Sequence, residues 1–233
     1  MTFDISYDIS NSMLGMPISG RGGQMSDFTY EFENRSESLE EYEWDYTWID
    51  SADKSGLQRV LYIGDSISCA ARSEATRVAK GTFYFDGIGT SKAVDNPCFP
   101  DVIRLIAKQE GDRCAIIFNN GLHGWHLEDE NSYGVHYENL LNFLLAEFPG
   151  TPVFLVLTTA VKSEKRNPRV VARNQTVLSL ATKYNLPVID LYSITYENRE
   201  LISQDGVHLT PEGYEKIAIK IVTQLQEALN IEK

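Results

Sequence analysis

The chain of 233 residues is 42% hydrophobic and 23% charged, with 16 Gly, 8 Pro and 3 Cys. This composition excludes collagen, coiled coil, low-complexity disorder and a disulfide scaffold, and a chain of this length builds a core without a metal or staple. The net charge of -12 argues against a nucleic-acid partner held by phosphate neutralisation.

The charge is uneven. Residues 1–57 carry twelve acids against three bases (Arg21, Arg35 and Lys54), leaving the rest near neutral. Cys69, Cys98 and Cys114 are an odd set without C-x-x-C spacing, so they are expected as small buried hydrophobes. Met1 to Gly20 shows no basic stretch followed by an apolar run, and no segment approaches the ~18 apolar residues of a membrane span. The chain as written is expected to be cytoplasmic, or secreted or periplasmic if a signal peptide has been removed.

Residues 1–26 read as irregular. Phe28, Tyr30 and Phe32 alternate with polar residues, as do Tyr42, Trp44, Tyr46 and Trp48, the period-two signature of strands with one aromatic face. With Asn34 to Glu41 as a polar loop, these predict a β extension over 1–57 whose aromatic face packs on the main domain or offers a sugar platform. From residue 58 to 233 short aliphatic runs alternate with helical patterns. Strands are predicted at Val60–Ile63, Thr82–Phe85, Ala115–Phe118, Val153–Leu157 and Val188–Leu191. Helices are predicted at Ser68–Ala79, Phe99–Gln109, Ser132–Glu147, Pro168–Tyr184 and Pro211–Leu229. Thr210 as N-cap, Pro211 at the first helical position and Glu212 in the first turn mark the start of the last helix. The pattern predicts a three-layer α/β/α, doubly wound, flavodoxin-like fold with a five-stranded parallel sheet, whose ligand site lies beyond the strand C-termini.

Two polar clusters fall where such a site belongs. Gly64-Asp65-Ser66-Ile67-Ser68 follows the first aliphatic strand and places a hydroxyl where strand gives way to helix, a junction whose backbone N–H groups can hold an anion. Asp205-Gly206-Val207-His208 precedes the last helix, and a carboxylate three residues before a histidine can reach its Nδ1–H. Nucleophile, base and orienter are the groups that acyl transfer needs.

Together, Ile63-Gly64-Asp65-Ser66 and Asp205-x-x-His208-Leu-Thr-Pro-Glu-Gly-Tyr resemble the SGNH (GDSL-type) hydrolase family over about residues 59–230. The resemblance implies Ser66 as nucleophile, His208 as general base and Asp205 as its orienter, with Asp65 a structural member of the turn. It also implies an oxyanion hole built from the Ser66 N–H, a glycine N–H and a third donor. Gly89 in Gly87-Ile88-Gly89-Thr90-Ser91 best fits the glycine, with Gly87 as the alternative. The third block departs from the family's Gly-x-Asn-Asp, reading Asn119-Asn120-Gly121-Leu122-His123-Gly124. Aligning the glycine gives the donor role to His123, and a shifted register gives it to Asn120.

His123 and His126 lack an evident third ligand, so no metal or other cofactor is expected. Trp125 is a candidate wall of the substrate pocket. Arg166, within a basic island of Lys162, Lys165, Arg166, Arg169 and Arg173, is a candidate contact for a hydroxyl-rich or carboxylated substrate, the alternative being a solvated loop and helix face. The expected function is hydrolysis of acyl esters, chiefly acetyl, on a small-molecule or oligosaccharide substrate. The alternatives are a lysophospholipase or thioesterase of the same family, a non-catalytic carbohydrate-binding protein, or acyl transfer to another alcohol. Nothing in the sequence speaks to oligomeric state.

Overall fold

A computed structural model describes residues 43–231. The elements in chain order are β1 (Asp45–Trp48), β2 (Gln58–Gly64), α1 (Ser66–Ala79), β3 (Phe83–Thr90), α2 (Phe99–Ala107), β4 (Ala115–Phe118), α3 (Glu130–Glu147), β5 (Val153–Leu157), α4 (Asn167–Tyr184), β6 (Val188–Asp190), α5 (Tyr192–Glu197), a 3-10 turn (Arg199–Leu201) and α6 (Pro211–Ala228). The sheet order is β1-β3-β2-β4-β5-β6, parallel throughout except for β1, which runs antiparallel to β3.

The alternation of side chains along each parallel strand builds two cores. Val60 and Tyr62 of β2, with Phe85, Ile117 and Phe154, face Ile67, Ala71 and Ala75 of α1 and Ile217, Ile221 and Leu225 of α6. Leu61 and Ile63, with Ile88, Ile116, Phe118 and Leu155, face Ile103 of α2, Tyr133, Tyr137 and Leu141 of α3 and Val177 of α4. Burial on both faces explains why these strands read as continuous aliphatic runs. Each fully buried large side chain contributes about 1.5 to 3 kcal/mol.

The expected five parallel strands are present, and every expected helix appears within two residues of its predicted bounds, α1 starting at Ser66 and α3 at Glu130. Three differences have physical causes. β3 extends past Phe85 through Asp86-Gly87-Ile88-Gly89-Thr90, because β2 pairs with it in parallel as far as Gly64↔Gly89 and β1 pairs on the other side from Asp45↔Thr90 to Trp48↔Gly87. Among the described residues, the acidic segment 1–57 thus supplies the edge strand of a six-stranded sheet. The short helix α5 and its 3-10 extension were not predicted from Tyr192-Ser-Ile-Thr-Tyr-Glu, a run without an apolar period. The strand expected at Phe28, Tyr30 and Phe32, the loop Asn34 to Glu41, Tyr42 and the irregular stretch 1–26 lie outside the described residues.

Segment 44–54 is clamped by polar contacts. The Asp50 carboxylate accepts from Phe85 N–H at 3.2 Å and from Thr76 Oγ1 at 3.0 Å, and Asp50 N–H donates to Asp86 Oδ1 at 3.0 Å. Asp86 is fully buried and paired with Arg59 and Arg113, each at 2.9 Å, while Arg59 also donates to the carbonyls of Asp50 and Ser51. Burial pushes the Asp86 carboxyl upward from its ordinary range, and the two guanidiniums pull against that shift. Of the aromatic row, Tyr46 and Trp48 stack on each other and stay 38% and 47% exposed, with Arg72 over the Trp48 ring at 5.1 Å. Among its described members, Trp44 alone is drawn inward.

Candidate active site

Ser66 is the first residue of α1, directly beyond the C-terminus of the central strand β2. Asp65 is the N-cap: its Oδ1 accepts from Ile67 N–H at 2.9 Å and its carbonyl from Ser68 Oγ at 2.6 Å. Asp65 is thus the structural member of the turn, and Ser66 N–H belongs to the first-turn donors that have no acceptor within the helix. Cys69, one turn on, lies against Gly89, and burial pushes its thiol up to about 12, so it stays protonated at neutral pH.

The loop between the 3-10 turn and α6 brings up the other two groups. It is closed by an Ile202↔Leu209 bridge and by Ser203 N–H donating to His208 O at 2.7 Å. The segment after β5 props it, with Lys162 N–H donating to Gly206 O at 2.8 Å and Lys162 Nζ to Ser203 O at 3.0 Å. Within it, His208 Nδ1 lies 2.7 Å from Asp205 Oδ2, and His208 Nε2 lies 2.9 Å from Ser66 Oγ. The three side chains singled out in the sequence therefore meet across 142 positions in the geometry that serine acyl transfer requires.

Asp205 is held from several directions. Its Oδ1 accepts from Val207 N–H and His208 N–H, both at 2.9 Å, and from Ser203 Oγ at 2.7 Å. Burial works to raise its carboxyl, but the Val207 N–H, Ser203 and His208 outweigh it and bring it down from 3.8 to about 2. A fixed anion on Nδ1 keeps that proton in place and leaves Nε2 as the acceptor facing Ser66. Sequence reasoning missed Ser203; the only signal was its spacing of two from Asp205.

The oxyanion candidates are placed less uniformly. Gly89 shares an edge of β3 with Ser91, whose N–H donates to Trp44 O at 3.1 Å. Since antiparallel partners alternate every second residue, the Gly89 N–H points along the sheet to β1 and not toward Ser66. Gly87 lies on the same edge and faces β1 in the same way. Gly89 is needed for packing: an added Cβ would lie 2.0 Å from Cys69 Sγ and 3.1 Å from Asp65 O. Asn120 is fully buried and its amide donates to Lys92 O at 2.7 Å, bracing the turn after β3. Asn119 donates to Val156 O and Thr158 Oγ1. His123 is buried with its ring edge-on to Trp44, centroids 6.2 Å apart at 73°.

Trp125 and the basic island differ from expectation. Trp125 is only 6% exposed and is surrounded by guanidiniums, with Arg173 at 4.5 Å, Arg169 at 5.0 Å and Arg166 at 5.5 Å from its ring. Arg173 is fully buried and donates to the carbonyls of Gly121, His123 and Gly124. Arg169 donates to those of Trp125 and Leu127. Arg169 and Arg173 thus hold the third-block loop from within. Trp125 belongs to that packing and does not form an open pocket wall, and Arg166, half-buried, stacks over it. His126 Nε2 lies 2.7 Å from Asp95, and among the described residues no group of three or more His, Cys, Asp or Glu could hold a metal ion.

No protein-family model and no curated protein matches the sequence. Solved structures do match the fold. The acetyl xylan esterase AlAXEase superposes with a TM-score of 0.59 at 17% identity, over 72% of this chain and 99% of its own. A carbohydrate esterase family 3 protein from Talaromyces cellulolyticus gives 0.58 at 15% identity, over 76% and 100%. The lipase/acylhydrolase from Enterococcus faecalis gives 0.54 at 18% identity, over 76% and 99%. The chain has the SGNH hydrolase fold.

Proposed function

We propose that the protein is a serine ester hydrolase of the SGNH type that removes short acyl groups, chiefly acetyl, from a carbohydrate or other small hydroxylated substrate. The observation that carries this reading is the Ser66–His208–Asp205 array, with contacts of 2.9 and 2.7 Å. His208 Nε2 takes the Ser66 proton as Oγ attacks the acyl carbonyl. The oxyanion of the tetrahedral intermediate is held by the Ser66 N–H and a donor on the His123 ring. His208 then passes the proton to the departing alcohol, activates water against the acyl-enzyme and releases the acid. The chemistry is complete with side chains and backbone alone.

Names of two of the similar structures, an acetyl xylan esterase and a carbohydrate esterase, support acetyl groups on sugars as the substrate class. The decisive experiment is hydrolysis of 4-nitrophenyl acetate and acetylated xylo-oligosaccharides by the wild type and Ser66→Ala. Turnover that vanishes in the variant is the expected result, and full activity in Ser66→Ala would overturn the mechanism. Faster hydrolysis of long-chain acyl esters than of acetylated oligosaccharides would move the substrate to lipids.

A further inference from the structure

One aromatic residue near the site, Trp44, directly precedes the edge strand β1, on the far side of β3 from Ser66. Trp44 is fixed by its backbone: its N–H donates to Ser91 Oγ at 2.9 Å, and its carbonyl accepts from Ser91 N–H at 3.1 Å and Thr90 Oγ1 at 3.2 Å. From there the half-buried indole reaches over Gly89. The point where a Gly89 Cβ would sit is 3.6 Å from Trp44 Cζ3 and 3.1 Å from the carbonyl of Asp65, the residue before Ser66. The indole also meets the His123 ring edge-on. Trp44 therefore lies across Gly89 from the backbone that leads into Ser66 and against the residue proposed to hold the oxyanion.

The chemistry says which part of a substrate belongs there. In the tetrahedral intermediate one corner is Ser66 Oγ, one is the oxyanion, one is the departing oxygen and the last is the acyl carbon. The departing oxygen must lie at His208, which protonates it. His208 approaches from the β5 side, on a loop tied to Lys162, whereas Trp44 lies on the β1 and β3 side. The acyl substituent is left with the corner away from His208. Resting on the hydrolase reading, we infer that Trp44 walls the acyl side of the site, so that an acetyl methyl is accepted and longer chains meet the indole.

The test measures kcat/KM on 4-nitrophenyl acetate, butyrate and octanoate for the full chain, Trp44→Ala and Trp44→Phe. Wild-type values fall from acetate to octanoate. In Trp44→Ala the butyrate-to-acetate and octanoate-to-acetate ratios rise about tenfold or more, the range in which a pocket discriminates added methylenes, and Trp44→Phe falls between. Because each ratio compares two substrates on one preparation, partial loss of folded protein cancels from it. Ratios unchanged in both variants, or a wild type that takes octanoate as readily as acetate, overturn the inference while leaving ester hydrolysis intact. A wild type that turns over none of the three esters overturns the hydrolase reading and the inference with it.

Discussion

The guanidinium of Arg173 donates to the carbonyl of His123 at 2.6 Å, from a helix 50 residues further along the chain. The same group reaches Gly121 and Gly124 and lies between the rings of Trp125 and Tyr133, 4.5 Å from each. A buried cation at this point sets the backbone of the loop that carries His123, with Glu130 completing the charge balance at 3.4 Å.

Arg173→Met leaves three carbonyls and a carboxylate without their cation. Breaking a buried pair in this way costs about 3 to 5 kcal/mol, and the expected fall in Tm is roughly 2 to 4 °C per kcal/mol for a domain of this size. Arg173→Lys, with one point charge for a planar fork, falls short of restoring it. Thermal melts of the three proteins check this; a Met variant as stable as the wild type would show that the loop holds itself.

His123→Ala and Asn120→Ala separate chemistry from packing. Loss of an oxyanion donor lowers kcat by about 10²- to 10³-fold, and that effect is expected for His123→Ala with little change in KM. Asn120→Ala removes the amide that holds Lys92 O, so its expected effect is a lower Tm, with kcat per folded molecule nearly kept. The reverse pattern would return the donor role to Asn120.

Asp205→Asn keeps the shape of the carboxylate and removes the anion that fixes the His208 tautomer; a fall in kcat of about 10⁴-fold is expected. The pH dependence follows from the sign of the shift. The Asp205 carboxyl is lowered from 3.8 to about 2 in the folded chain, so the ionised form stabilises the fold above about pH 4. That contribution is lost as the pH falls from about 4 through 2. The Tm difference between wild type and Asp205→Asn should narrow over this window.

Gly89→Ala tests the closeness of α1 to β3. The new methyl meets Cys69 Sγ, and overpacking of this kind costs about 1 to 3 kcal/mol. Cys69→Ala removes the sulfur and should recover most of the loss in the double variant, leaving the milder approach to Asp65 O. Additive losses in urea denaturation would mean that the two side chains are not in contact.

Much of this was legible from the chain because the relevant signals are local. The aliphatic runs of β2, β4 and β5 and the capping at Thr210 give the fold, and Gly64-Asp65-Ser66 with Asp205-x-x-His208 gives the three side chains that meet beyond β2. What the sequence concealed depends on distant partners. Asp86-Gly87-Ile88-Gly89 looks like a turn and becomes strand because β2 and β1 flank it on either side and two arginines neutralise Asp86. Arg173 reads as a solvated or substrate-facing base, since its acceptors are backbone carbonyls about 50 residues earlier. Gly89 was assigned by motif, yet the direction of an N–H is a property of strand pairing that no motif records.

The four residues of β1 bear on solubility as well as on the site. Without them β3 would end the sheet, presenting a long row of unpaired N–H and C=O groups, a template on which a second molecule could add its own strand. In their place the outermost strand is short, and Asp45 and Glu43 beside it engage Lys92 at 2.8 and 3.5 Å. The acidic stretch that sets the overall charge thus also supplies the guard on one of the two edges of the described sheet.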